Sequence, residues 1–136
     1  LGVNVSDRAG GWEHNYRGPD VVAYLDGNPA VCHGTHWEGG PDFLVEILSP
    51  GERAYAKFDF YAAVNTREVL LVFRDPWAVE LHRLTAGKLE LVGRSDAASP
   101  AAVASAVLPL TFRLAPATPR PRVAVRHAGT GREWLA

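Results

Sequence analysis

Two apolar segments separated by a helical pattern constrain the fold of this chain more than any other feature. The first, "DFLVEIL" at residues 42–48, is a nearly continuous apolar run, typical of a strand in a sheet covered on both faces. The second is the apolar centre of "REVLLVFRD", at residues 67–75. Between them, residues 52–64 carry an apolar stripe at helical spacing, formed by Ala54, Phe58, Tyr61 and Ala62. This strand–helix–strand connection predicts a parallel strand pair with a right-handed crossover.

Shorter patterns predict the other elements. Upstream, "DVVAYL" at residues 20–25 predicts a strand that ends at the turn "DGN". Ser49 and Glu52 predict a capping box at the start of the helix. Downstream, four segments predict strands: "WAVELHRL", "LELVGR", "AVLPLTFRL" and "RVAVRH". Residues 29–41 and 95–105 are predicted to be loops, and residues 1–19 a loop or a ragged strand. The predicted architecture is a mixed α/β or α+β sheet with one main helix after the second strand and a C-terminal antiparallel meander.

Composition sets limits on the function classes. With 136 residues, the chain has the size of one domain, residues 1–136. Its formal net charge of −1 gives no overall field that would steer it to nucleic acid or to an anionic membrane, although a local basic groove is compatible with that charge. The single cysteine, Cys32, cannot form an internal disulfide and favours a reducing, cytoplasmic location. No apolar run approaches the roughly 20 residues of a membrane span.

The start of the chain is unusual. The sequence begins at Leu1 and contains no methionine. Either the sequence is a fragment or a non-standard start codon stands as Leu1, and we expect that an N-terminal segment is missing.

Acidic side chains within the apolar strand suggest a site. Successive strand residues point to opposite faces, so Asp42 and Glu46 share one face. A carboxylate among apolar neighbours needs a counter-charge, a proton or a metal. Asp20 begins a strand that can lie beside the second one, and Lys57 lies about one and a half turns into the predicted helix. Asp20, Glu46 and Lys57 can then converge, with Asp42 near the rim. Two carboxylates and a lysine suit Mg²⁺ with an activated water.

An ordinary structural interpretation explains the same residues. Asp20 and Asp42 each follow a proline, and "PD" commonly opens a turn. Lys57 can be a solvated helix residue, and Glu46 can lie at the surface of an edge strand. Spacing alone favours this interpretation.

The motifs taken together resemble a known family. "RGPDVVAYL", "GGPDFLVEILSPG" and "KFDFYAAVNTREVLLVFRDPWAVELHRL" are similar to the Uma-two family of restriction endonucleases, which belongs to the PD-(D/E)xK nuclease superfamily. The resemblance runs from Arg17 to Leu84 and extends weakly to "VLPLTFRL". It implies a restriction-endonuclease-like core with a divalent-metal phosphodiesterase site. Family members usually carry an N-terminal helix and strands before the "PDV" segment, whereas only residues 1–19 precede it here.

The resemblance also implies roles for single residues. Asp20 matches the first acid of the superfamily, Glu46 the second, and Asp42 an extra aspartate on the same strand. The usual lysine two residues after the second acid is absent, because Leu48 stands there, and Lys57 matches a lysine that has migrated to the helix. The implied reaction is hydrolysis of a DNA phosphodiester with Mg²⁺ or Mn²⁺. Three of these residues would hold the metal and Lys57 would position the attacking water, in a protein that binds DNA and forms a homodimer.

Two alternatives stay open at this stage. The first is a catalytically inactive domain that kept the nuclease fold and acts in binding or dimerisation, and metal affinity separates it from the enzyme. The second is a cupin-like β-sandwich with a transition metal, because "CHGTHWE" supplies several potential ligands. These are Cys32, His33, His36 and Glu38, with His14 upstream. The loop setting and the helix at residues 52–64 count against the cupin.

Overall fold

Three β-sheets and one short α-helix form the part of the chain that the structure, a computed structural model, describes: residues 2–136. The α-helix, α1, spans Phe58–Ala63, and a single 3-10 turn spans Trp12–His14. The strands in chain order are β1 (Val5–Ser6), β2 (Tyr16–Arg17), β3 (Val21–Ala23), β4 (Val31–Cys32), β5 (Trp37–Glu38), β6 (Phe43–Ile47), β7 (Glu68–Arg74), β8 (Trp77–Thr85), β9 (Lys88–Asp96), β10 (Val103–Ala104), β11 (Leu110–Ala115), β12 (Arg122–His127) and β13 (Glu133–Leu135).

The central sheet has five strands in the order β3-β6-β7-β8-β9. β6 and β7 are parallel, which confirms the predicted parallel pair, and the other neighbouring strands are antiparallel. One row of paired residues crosses β6, β7, β8 and β9 through Glu46, Leu71, Glu80 and Arg94. Residues in one row point to the same face of the sheet, so two acidic side chains project from this sheet on either side of Leu71.

Both faces of the central sheet are covered, as the apolar runs predict. On one face, sheet residues pack with the helix in a buried cluster that includes Leu44, Val69, Leu71, Phe60, Tyr61 and Val64. On the other face, a second cluster joins the central sheet to the C-terminal strands and includes Phe43, Leu70, Val79, Leu81 and Phe112. Burial of a large apolar side chain contributes about 1.5–3 kcal/mol. The alternation of β6 and β7 between these two clusters therefore fixes which residues face the helix.

Two smaller sheets flank the central one. The N-terminal sheet has the order β2-β1-β5-β4, in which β1 and β5 are parallel. The C-terminal sheet has the order β10-β11-β12-β13 and is antiparallel throughout. The predicted loops at residues 1–19, 29–41 and 95–105 thus contain two-residue strands, which are too short to show an alternating pattern. The C-terminal strands form a sheet of their own, whereas we expected one mixed sheet. The layout is mostly β and is compatible with a restriction-endonuclease-like fold.

The helix begins later than predicted. Residues 50–57 form turns, and the first helical residue is Phe58. Gly51 has a φ of 82°, a left-handed conformation that interrupts a helix. Only half of the predicted capping box forms: the Glu52 carboxylate accepts a hydrogen bond from the Ser49 amide, but the Ser49 hydroxyl accepts one from Arg74. Lys57 is therefore the N-cap of α1 rather than a residue one and a half turns into it.

No helix among the described residues is long and apolar enough to cross a membrane.

Candidate active site

Glu46 lies in the middle of β6 on the face that the helix covers. Its side chain is only 7% exposed. Its Oε2 accepts a hydrogen bond from Lys57 Nζ at 2.8 Å, and its Oε1 accepts one from the Tyr61 hydroxyl at 3.3 Å. A buried carboxylate is stable only with such partners. Glu46 is therefore a buried, paired acid, and the interpretation of it as a surface group of an edge strand is wrong.

The helix supplies both partners of Glu46. Lys57 and Tyr61 are four residues apart, so they lie above one another on the same side of the helix. Tyr61 is fully buried, whereas the Lys57 side chain is 36% exposed. Burial raises the pKa of Tyr61 far above its usual range, and the nearby charges of Glu46 and Asp20 raise it further. The hydroxyl of Tyr61 thus stays protonated and remains a hydrogen-bond donor to Glu46.

Asp20 lies beside Glu46 on the neighbouring strand. Its backbone amide donates to the Val45 carbonyl, and its Oδ2 accepts a hydrogen bond from the Ile47 amide at 2.7 Å. Val21 pairs with Val45, and one further step of this antiparallel register puts Asp20 opposite Glu46. Opposite residues in such a pair have Cβ atoms about 5 Å apart. Asp20 is exposed to solvent. The structure therefore brings Asp20, Glu46 and Lys57 together, at a point that solvent reaches.

Asp42 lies at the other end of the same strand segment. It is four residues from Glu46, which corresponds to about 13 Å along an extended strand. Its Oδ2 accepts hydrogen bonds from the Leu25 amide at 2.8 Å and from Asn28 at 2.9 Å, and Arg67 donates to Oδ1 at 3.2 Å. Among residues 2–136, no three His, Cys, Asp or Glu side chains are grouped so that they could hold a metal ion. Asp42 thus fastens the turn after β3 and does not join Asp20 and Glu46.

The hydrogen bonds of Asp42 have a consequence for its ionisation. Burial alone would raise the pKa of Asp42. The bonds from Asn28, Leu25 and Arg67 outweigh burial and hold the pKa of this carboxyl below its usual range. A carboxyl whose pKa is lower in the folded protein stabilises the fold above its unfolded-state pKa, and this contribution disappears as the pH falls through the folded-state pKa.

Asp42→Asn is therefore expected to lower the free energy of unfolding in a pH-dependent way. Charged hydrogen bonds of this kind contribute about 1.5–3 kcal/mol, so the loss should be of that size near neutral pH. The difference from the wild type should shrink as the pH falls through the lowered pKa of Asp42. Urea unfolding at a series of pH values measures it. Asp26→Asn, at an exposed aspartate in the adjacent turn, is the control and should show no such trend. A difference that does not change with pH would contradict the role given to the Asp42 charge.

The family to which the chain belongs follows from a comparison with family models. The model "Uma2: Putative restriction endonuclease" matches residues 2–117 of the 136. The chain belongs to the Uma2 family. None of the curated proteins matches it. The resemblance seen in the sequence motifs is thus confirmed at the level of the family, and the match includes Asp20, Asp42, Glu46 and Lys57.

The histidine-rich segment of this Uma2 protein has a structural explanation. His36 is buried, and both of its ring nitrogens have partners, the Arg8 carbonyl at 2.9 Å and the Thr35 hydroxyl at 2.8 Å. Its ring stacks between those of Trp12 and His33. His36 therefore packs against the N-terminal sheet, and neither the family match nor this geometry supports the cupin-like alternative.

Sequence reasoning missed a second polar cluster in the Uma2 protein. Glu80 Oε1 lies 2.9 Å from both the Tyr55 hydroxyl and His82 Nε2, and Arg94 Nη1 donates to Oε2 at 2.6 Å. Burial would raise the pKa of Glu80, but the hydrogen bonds with His82, Tyr55 and Arg94 outweigh it and lower that pKa. The alternation in "WAVELHRL" puts Glu80 and His82 on one face of the strand. It does not reveal that the segment before α1 covers this face.

Tyr61 is the other partner that the sequence analysis did not single out. Its four-residue spacing from Lys57 was the available signal, because such a pair shares one side of a helix.

Proposed function

We propose that this Uma2 protein is a metal-dependent endonuclease that hydrolyses DNA phosphodiester bonds with Mg²⁺ or Mn²⁺. The observation that carries the proposal is the contact between Lys57 Nζ and Glu46 Oε2, with Asp20 on the adjacent strand. The family description supports the class of reaction and DNA as the substrate.

The carboxylates of Asp20 and Glu46 fit a magnesium ion. Mg²⁺ prefers oxygen ligands and commonly uses one or two carboxylates, with waters and substrate phosphate completing its shell. A carboxylate offers about four acceptor positions, and Glu46 uses two of them. Asp20 uses Oδ2, and its Oδ1 makes no hydrogen bond within residues 2–136. Acceptor positions therefore remain on both side chains. Asp42 already accepts hydrogen bonds from Leu25, Asn28 and Arg67. Its proposed role is therefore to fix the strand and not to bind the metal.

The proposed roles follow from the positions of the side chains. A bound Mg²⁺ would activate a water and neutralise charge on the phosphate. Lys57 has three N–H donors and gives one to Glu46, which leaves two for a phosphate oxygen or for the attacking water. Tyr61 holds the Glu46 carboxylate in a fixed orientation from the buried side. The remaining exposure of Lys57 and Asp20 lets a nucleic-acid backbone reach the site.

Calorimetric titration with Mn²⁺ tests the metal site. The wild type should bind the ion, and Glu46→Gln should weaken binding by more than about tenfold, because the amide removes a ligand charge. Asp42→Asn is the matched control, since it removes a carboxylate from the other end of the strand, and its binding should equal that of the wild type. Equal affinity in Glu46→Gln, or no binding by the wild type, would contradict the proposal. Cleavage of supercoiled plasmid by the same proteins tests the reaction.

A homodimer is part of the proposal. One site of this kind cuts one strand, so cleavage of both antiparallel strands is most simply achieved by two copies related by a two-fold axis.

A further inference from the structure

The backbone that leads into Lys57 is held by turn hydrogen bonds and not by those of a regular helix. Residues 50–57 form turns, and Lys57 only begins the helix, through the hydrogen bond that its carbonyl accepts from the Tyr61 amide. A flexible lysine side chain on such a segment loses much conformational entropy when it is held in one position. A second attachment of this segment to the sheet would lower the entropic cost of the contact with Glu46 at 2.8 Å.

Tyr55 provides that attachment. Its residue is 53% exposed, yet its hydroxyl donates to Glu80 Oε1 at 2.9 Å. Its ring lies edge-on to Phe58, with ring centres 5.3 Å apart, and Phe58 in turn contacts the ring of His82 at 4.8 Å. The segment around Lys57 is thus held on β8 by one hydrogen bond and by a small aromatic cluster.

Glu80 is itself held rigidly. It is 5% exposed, and His82 and Arg94 bind two further acceptor positions at 2.9 and 2.6 Å. Arg94 is fixed further by Asp96 at 3.0 Å. A buried carboxylate with this many partners keeps a single orientation, because any rotation would leave a buried polar group without a partner. Glu80 is therefore a fixed anchor, and Tyr55 is the exposed side chain that attaches to it.

The two carboxylates lie on opposite sides of one residue. Glu46, Leu71 and Glu80 form one row across three adjacent strands, and two strand spacings separate the acids by about 10 Å. Lys57 reaches the first acid and Tyr55 reaches the second. The turn segment therefore spans β7 and is fastened on both sides of it.

We propose that Glu80 is a positioning residue, which holds Lys57 against Glu46 through the side chain of Tyr55. Neither Glu80 nor Tyr55 touches the reacting atoms. The effect of Glu80 on catalysis rests on the proposed function. The position of Lys57, however, can be measured in a protein that has no nuclease activity.

The test uses Tyr55→Phe, which removes only the hydroxyl of an exposed ring. Tyr16→Phe is the matched control, because Tyr16 is similarly exposed and its hydroxyl makes no hydrogen bond within residues 2–136. The chain has only two lysines, Lys57 and Lys88, so limited acylation with acetic anhydride followed by peptide mass spectrometry compares them directly. Lys88 lies exposed at the start of β9 and is the internal reference.

Loss of the hydroxyl should release Lys57 from Glu46 and expose its amine to the reagent. The acylation rate of Lys57 relative to Lys88 should rise about tenfold or more in Tyr55→Phe, the scale expected when one hydrogen bond to a charged group is lost. It should stay unchanged in Tyr16→Phe. The rates are measured well below the unfolding temperature of both variants. An unchanged ratio in Tyr55→Phe would overturn the inference.

Activity separates this inference from the proposed function. If the wild type cleaves DNA, Tyr55→Phe should lower kcat and leave KM for DNA unchanged, because the lysine acts on the reacting phosphate and not on distant DNA. If the wild type does not cleave DNA, the proposed function fails, and the acylation ratio still decides whether Glu80 positions Lys57.

Discussion

Lys57→Met is expected to lower the rate of DNA cleavage by at least about 100-fold, since a positioned acid, base or phosphate-binding group contributes about that much or more. Methionine keeps most of the aliphatic stem and removes the ammonium group that donates to Glu46 at 2.8 Å. Mn²⁺ affinity should be retained or should increase, because the substitution removes a positive charge beside a proposed metal ligand. A plasmid-nicking assay and a calorimetric titration measure the two quantities.

The fold of this variant should survive. Glu46 keeps its hydrogen bond from Tyr61, and the Lys57 side chain is 36% exposed, so water can replace the ammonium group. The expected loss of stability is about 1.5–3 kcal/mol, the contribution of one hydrogen bond to a charged group.

Lys88→Met is the control, because it removes the other lysine of the chain from an exposed position on β9. Its cleavage rate should match that of the wild type. Full cleavage activity in Lys57→Met would show that this lysine takes no part in the proposed reaction. Loss of metal binding in Lys57→Met would instead show that the lysine organises the ligands.

The sequence was sufficient to predict that Asp20, Glu46 and Lys57 lie together in the candidate site. Apolar runs identified β6 and β7 as a parallel pair, and the strand that begins after Asp20 does lie against β6. Once these strands are adjacent, the two-residue alternation of side chains puts Asp20 and Glu46 on neighbouring positions. The helix that covers this face begins after Lys57, and it brings the Lys57 side chain to Glu46. Local pattern and sheet geometry are enough here because each step involves directly neighbouring elements.

The parts that could not be predicted depend on distant contacts. Asp42 shares a face with Glu46, as predicted, but the residues that surround it come from the turn after β3 and from Arg67. Glu80 and His82 alternate like an exposed polar face, and they are buried because the turns of residues 50–57 lie over them. The periodicity of apolar residues indicates which side chains share a face of the sheet, but it does not indicate which segment covers that face.

The largest effect on stability is expected at Glu68, the first residue of β7. Its side chain is completely buried, on the face opposite to α1. It accepts hydrogen bonds from Arg83 at 2.8 Å, from the Ser105 hydroxyl and from the Ala106 amide at 3.0 Å. These bonds connect the central sheet to the segment that leads into β11. A carboxylate so placed serves the fold, and no part of the proposed reaction uses it.

Glu68→Ala is expected to reduce the free energy of unfolding by about 3–5 kcal/mol, the usual effect of removing one partner of a buried ion pair. Guanidinium unfolding measures it, with Glu90→Ala on the exposed side of β9 as a control that should change stability by less than about 0.5 kcal/mol. Below the unfolding transition, the acylation ratio of Lys57 to Lys88 should stay at its wild-type value, because Glu68 and Lys57 lie on opposite faces of the sheet. A raised ratio in this variant would mean that the position of Lys57 depends on global stability and not on the contact between Tyr55 and Glu80.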